Sequence, residues 1–128
     1  MKKQLDLVKK FHLKFKQPVL DQSALIPEDR SSNRHHLMKE EVAEYLEGVK
    51  NGDIENIAKE LADILYAVYG TILEHGLQDK MEEIFEEVHN SNMGKDSDEY
   101  KMVKGDSYFK ADINKFFKKG KNEDRECL

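Results

Sequence analysis

The chain of 128 residues has no tryptophan, two prolines and one cysteine. A single cysteine, Cys127, excludes an intrachain disulfide framework and fits a reducing compartment. Its place beside the C-terminus argues against a catalytic nucleophile. Long hydrophobic runs are also missing. Nothing approaches the roughly 18 apolar residues of a spanning helix. The basic opening MKKQLDLVKKFHLKFK lacks the continuous apolar stretch of a signal peptide. No membrane association and a cytoplasmic location are therefore expected. Basic charge is not in excess either: 21 Lys and Arg stand against 26 Asp and Glu, for a net charge of −5. That balance argues against polymeric nucleic acid as a partner. It still admits a small anionic ligand, because metal ions can bridge acidic protein to phosphate. The GxxxxGK[ST], GxGxxG, CxxC and HExxH patterns are absent, which removes support for P-loop, dinucleotide and zinc readings.

What is present is helical periodicity. Hydrophobic residues make up 38% of the chain and charged residues 37%, so a modest core must carry a highly charged surface. Leu5, Leu7, Val8, Phe11 and Phe15 approximate helical spacing over residues 3–16. Residues 17–29 hold both prolines and read as a loop, with Asp29, Ser31 or Ser32 able to cap the next helix. That second helix is predicted over 31–50, with Leu37, Met38, Val42, Tyr45, Leu46 and Val49 as its apolar stripe. Gly52 suits its end and Asp53 the N-cap of a third helix, 54–75, striped by Ile57, Leu61, Ile64, Leu65, Val68 and Ile72. A fourth helix is predicted over 78–90, carrying Met81, Ile84, Phe85 and Val88. Short connections imply antiparallel neighbours. Beyond residue 92 the pattern weakens to a short strand or hairpin near 100–104 and a helical turn within 112–118. The expectation is an all-α fold: a four-helix core of antiparallel helices with an irregular C-terminal segment. Residues 1–118 form one domain in this reading, and 119–128 a disordered tail.

The acidic residues of the two middle helices are not scattered. KEEVAEY, residues 39–45, places Glu40, Glu41 and Glu44 close together, and KELADIL, 59–65, interrupts an apolar run with Glu60 and Asp63. At about 100° per residue, Glu41 borders the apolar face of its helix, Glu44 comes next and Glu40 lies further out. Glu60 and Asp63 share an edge of theirs with Ile64 and Ala67. An antiparallel pair with a short turn can bring these edges together. Converging carboxylates repel and raise one another's pKa unless a cation sits among them. Mg²⁺ and Mn²⁺, which prefer oxygen ligands, suit such a place. Glutamate is also a good helix former on exposed faces, so a solvated acidic face and a metal centre both remain open on pattern alone.

Glu40-Glu41-Val42-Ala43-Glu44 followed by Glu60-Leu61-Ala62-Asp63 resembles the EExxE…ExxD signature of the all-α nucleoside triphosphate pyrophosphohydrolases. These are the MazG-like group, related to dimeric dUTPases and phosphoribosyl-ATP pyrophosphohydrolase. EVHNSNMGK (87–95), KMVKGDSYFKADI (101–113) and FHLKFKQPV (11–19) are similar to segments of one branch of the group, so the resemblance spans about residues 8–117. Ala111 stands where a proline is frequent and Gly94 where a serine is common; neither is at a ligand position.

The resemblance implies cleavage of a nucleoside triphosphate between its α and β phosphates, giving a monophosphate and pyrophosphate, as in housecleaning of the nucleotide pool. Glu41, Glu44, Glu60 and Asp63 would hold Mg²⁺, with Mn²⁺ as a substitute, and Glu40 would orient or deprotonate the attacking water. Lys95, then Lys104 and Lys80, would face the phosphates; Asn92 would hydrogen-bond the substrate and Tyr108 stack on a base. Each also has an ordinary reading as a solvated, capping or packing residue. A homodimer or homotetramer is expected. A phosphoribosyl-ATP or dUTP specialist and a non-catalytic helical interaction module are the alternatives. Glu86-x-x-His89 is the i, i+3 pair of a di-iron bundle, but such sites need two pairs and only one is present. His35 and His36 read as surface residues at a helix start, and His75 as a helix C-terminal residue suited to the dipole.

Overall fold

The computed structural model describes residues 1–97, 102–103 and 108–117. The fold is all-α. Its helices are α1 (Lys2–Lys14), α2 (Glu28–Lys50), α3 (Ile54–Glu74) and α4 (Met81–Met93). The chain divides into two compact units, Met1–Asp79 and Lys80–Leu128. In the first, α3 packs against both α1 and α2.

α2 begins three residues earlier than the periodicity predicts. Pro27 is the N-cap, extended at φ −53° and ψ 148°, and Glu28 and Asp29 occupy the first turn. Acidic side chains there complement the helix dipole. The expected caps sit inside the helix instead, and Ser31 Oγ donates to the Glu28 carbonyl at 3.1 Å. At the other end the predicted punctuation is present. Gly52 has φ +65°, and the Asp53 carboxylate accepts from the Asn56 backbone N–H at 3.1 Å. This short turn reverses the chain from α2 into α3.

α3 ends at Gly76, whose φ is +67°. A Cβ there would stand 2.2 Å from the Gln22 carbonyl oxygen, so both conformation and space require glycine. The proline-containing loop is tied to this helix end. Leu20 N–H donates to Leu73 O and Ala24 N–H to His75 O, each at 3.0 Å. Gln78 Nε2 donates to Leu20 O at 2.7 Å.

The buried faces coincide with the predicted stripes only in part: Leu5, Val8 and Ile72 are buried as expected. α1 buries Leu5, Val8 and His12, an i, i+3, i+7 set, while Leu7, Phe11 and Phe15 are about half exposed. α3 buries Glu60, Ala67, Gly70, Ile72, Leu73 and Glu74. Leu61 and Leu65 of its apolar stripe stay exposed, as do Val42, Leu46 and Val49 of α2. The edge of α3 that carries the acidic residues is therefore among its buried positions. A cation network stabilises it. Glu74, fully buried, accepts from Arg30 Nε at 3.0 Å and Arg30 Nη2 at 2.8 Å. Arg34 Nη1 lies 3.1 Å from the same carboxylate. Arg34 also donates to Thr71 Oγ1 at 3.1 Å and to the Ala67 carbonyl at 2.8 Å. The two arginines respond oppositely. Arg30, more exposed, has its pKa raised by the bond to Glu74. For buried Arg34 desolvation prevails and lowers it.

In the second unit α4 starts at Met81 rather than 78 and runs to Met93. Glu87 clamps residues C-terminal to this helix, accepting from Asp112 N–H at 2.9 Å and Lys115 Nζ at 3.0 Å. Ser91 Oγ donates to the Phe109 carbonyl at 2.7 Å. The weak strand signal corresponds to a two-residue antiparallel pairing, β1 (Asp96–Ser97) with β2 (Met102–Val103). A helical turn covers 115–117. The predicted tail, 119–128, lies outside the described residues.

Candidate metal centre

Glu41 and Glu44 are one turn apart on α2, and Glu60 and Asp63 one turn apart on α3. Residues three apart share a helix face, so the two pairs meet across the interhelical seam. One carboxylate oxygen from each of the four lies within 4.8 Å of the others. Burial grades across the group: Glu60 is buried, Glu41 and Asp63 are half-buried, and Glu44 is exposed. The cluster contains no histidine, and Glu86 and His89 are not part of it.

The electrostatics are those of a site short of positive charge. Burial raises the Glu60 pKa, and hydrogen bonding and proximity to Glu44 raise it further, as does Asp63; Lys59 acts in the opposite sense. Lys59 Nζ sits 2.8 Å from Asp63 Oδ2 and 3.7 Å from Glu60 Oε1. Its own pKa is raised, first by the hydrogen bond to Asp63. One exposed ammonium does not satisfy four carboxylates. Glu41 Oε2 and Glu60 Oε2 are buried without any hydrogen-bond partner. A buried acceptor left unpaired costs free energy, and a hard divalent cation is the species that would satisfy both oxygens at once. The donor set, all carboxylate oxygen, fits such an ion.

The other predicted residues fall in separate places. Glu40 is exposed and outside the four-carboxylate group; its Oε1 is 2.9 Å from His36 Nε2. His36, read as a surface residue, thus has a specific partner. In the second unit Lys95 Nζ lies 5.8 Å from the centroid of the Tyr108 ring, and Lys80 Nζ 5.7 Å from that of Phe117. Asn92 is exposed on α4. Lys104 lies outside the described residues.

Several residues escaped the pattern. A cleft of 260 Å³ opens beside the cluster, bordered by Glu41 and Asp63 and lined also by Phe11, His12, Arg34 and Tyr66. His12 sits among lysines in a basic helix and carries no motif. Its one readable signal is position: it completes the Leu5 and Val8 face. Arg30, Arg34 and Glu74 are far apart in sequence, and only the α2–α3 pairing shows them as partners.

An all-helical fold with four carboxylates from ExxE and ExxD turns on paired helices defines a class of nucleotide pyrophosphohydrolase-like proteins. Residues 8–92, more than half of the chain, match the family model described as phosphoribosyl-ATP pyrophosphohydrolase. The chain belongs to this family, within the all-α nucleoside triphosphate pyrophosphohydrolase-like group of which the MazG-like proteins are related members. No curated protein matches it individually. Family membership indicates pyrophosphohydrolase activity on a nucleotide substrate.

Proposed function

We propose that the protein is a Mg²⁺-dependent pyrophosphohydrolase that cleaves the α–β phosphoanhydride of a nucleoside triphosphate, releasing a nucleoside monophosphate and pyrophosphate. The supporting observation is the meeting of Glu41, Glu44, Glu60 and Asp63 with two orphaned buried oxygens among them. Each of the four residues would offer the ion one carboxylate oxygen, and these oxygens lie within 4.8 Å of one another. When bound, the ion supplies charge neutralisation of the phosphates and acidifies a coordinated water.

The remaining work falls to the chain. The four carboxylates hold the ion. Glu40 accepts the proton of the attacking water, and His36, one turn earlier on the same helix, orients it. A second substrate reading, phosphoribosyl-ATP, is favoured by the family match and involves the same bond. Self-association is part of the proposal: Val42, Leu46, Val49, Leu61 and Leu65 expose apolar surface that a second copy would cover.

The test is pyrophosphate release from natural and modified nucleoside triphosphates and from phosphoribosyl-ATP, with Mg²⁺, Mn²⁺ or EDTA. Metal-dependent release with the monophosphate as co-product is expected. Release undiminished in EDTA, or unchanged by both Glu44→Gln and Asp63→Asn, overturns the assignment. A folded protein inactive on the whole panel, whose melting temperature ignores Mg²⁺, is a helical interaction module instead.

A further inference from the structure

We infer that the cleft beside the carboxylates is a nucleobase subsite that selects bases carrying an exocyclic amino group, as adenine and cytosine do, over their oxo counterparts. The inference rests on the proposed nucleotide substrate and names the part of it that this cleft takes.

Size comes first. At 260 Å³ the cleft is smaller than the roughly 300–1,000 Å³ that encloses a drug-sized ligand. It therefore takes a fragment, and its border with Glu41 and Asp63 makes that fragment continuous with whatever the carboxylates engage. Its walls suit a flat heterocycle. Phe11 and Tyr66 meet edge to face, with centroids 5.4 Å apart at 88°, and both residues are about 40% exposed. Aromatic faces left open to solvent are stacking platforms for bases.

The polar groups set the choice of base. His12 is 2% exposed, yet only one of its ring nitrogens is used. Nδ1 lies 3.0 Å from the Pro18 carbonyl. A carbonyl can only accept, so Nδ1 carries the proton and Nε2 of the neutral ring is an acceptor. Nε2 has no hydrogen-bond partner among the described residues. Arg34 supplies the complementary donor. Its guanidinium is fixed by Thr71, Ala67 and Glu74, with one N–H from each nitrogen, so Nη1 and Nη2 each keep a second N–H. The two groups stand side by side. Arg34 Nη2 is 2.5 Å and His12 Nε2 2.8 Å from the point a Cβ on Gly70 would occupy. Glycine at 70 is what lets both lie against α3. An acceptor next to a donor matches the amino group and adjacent ring nitrogen of adenine or cytosine. Hypoxanthine and uracil present an oxygen where the amino group would be, and that oxygen would face the His12 lone pair. A site built to pair with a polar group rejects the analogue lacking it because its own buried atoms are left unpaired.

Two measurements test this. The first is calorimetric binding of AMP, IMP, CMP and UMP in EDTA, which needs neither metal nor turnover. AMP and CMP should bind at least ~10-fold more tightly than IMP and UMP, the low end of discrimination by a buried hydrogen-bonding group. The second is kcat/KM for ATP against ITP and CTP against UTP in the Mg²⁺-loaded enzyme. His12→Asn keeps a donor for Pro18 O and deletes the Nε2 acceptor. It should abolish the preference through KM and leave melting temperature within a few degrees. Should that variant not fold, Tyr66→Leu should weaken all four monophosphates in parallel. Equal binding of amino and oxo bases by the wild type, or a preference that survives His12→Asn, overturns the inference. Pyrophosphate release without base preference defeats this inference and leaves the activity standing. Base-selective monophosphate binding without pyrophosphate release supports the subsite and defeats the activity.

Discussion

Glu60 is the buried member of the four carboxylates. It is buried, one of its oxygens lacks a partner, and burial, then Glu44, raises its pKa. Glu60→Gln removes one of the four converging negative charges and places a neutral amide donor among acidic neighbours. The variant should melt above the wild type in EDTA and lack the rise in melting temperature expected of the wild type with Mg²⁺, both read by calorimetry. A ligand that binds only the folded state stabilises by about 2.7 kcal/mol at a hundredfold excess over Kd, so the second effect is measurable. Lys59 Nζ lies 2.8 Å from Asp63 Oδ2 and would compete with a bound cation for it. Lys59→Met should therefore tighten Mg²⁺ binding, seen as a lower Kd by titration calorimetry; weaker binding would mean that the lysine supports the site. Gly70→Ala should displace Arg34 or His12 and destabilise by about 1–3 kcal/mol, the usual cost of overpacking, measured by urea unfolding. Of these residues, Glu60 was readable because its spacing from Asp63 matches a motif. His12, Gly70 and Arg34 were not, since each acquires its role only from neighbours on other elements.

The pairing of α2 with α3 depends on a buried ion network rather than on aliphatic contact alone. Removing Glu74 leaves two arginines facing one another, with Arg34 nearly out of water. Breaking a buried pair in this way costs about 3–5 kcal/mol, so Glu74→Gln should shift the urea midpoint strongly, with Arg34 the uncompensated charge. Helix punctuation at Asn51-Gly52-Asp53 was legible because capping is local chemistry. The choice of buried face was legible only in part: periodicity ranks Leu61, Leu65 and Ile72 as core, yet Leu61 and Leu65 are exposed while Glu60 and Glu74 are buried with Ile72. In the second unit the Glu87 clamp links α4 to residues 108–117 through pH. The Asp112 N–H, then Lys115, hold the Glu87 pKa below its ordinary value. Its contribution is thus complete above the unfolded-state value and is lost as pH falls through the lower folded one. Amide exchange at Asp112 should accelerate relative to α4 on acidification through that range, and Glu87→Gln should remove the pH dependence.

For the whole molecule, the exposed apolar residues Val42, Leu46, Val49, Leu61 and Leu65 lie on the same two helices as the carboxylates. A Leu46→Lys, Leu65→Lys variant should sediment as a smaller species than the wild type, while a wild type that is already monomeric would refute self-association. Among the described residues, no helix is long and apolar enough to cross a membrane. Amino-acid order by itself determined the helices, the turn that reverses α2 into α3, and the two acidic pairs, because periodicity, capping and i, i+3 spacing act within one element. Tertiary structure alone decided which face of α3 is buried and that His12 and Arg34 border the cleft. Those outcomes depend on the rotation of one helix against another, which is set by the summed packing and ion pairing of residues remote in sequence.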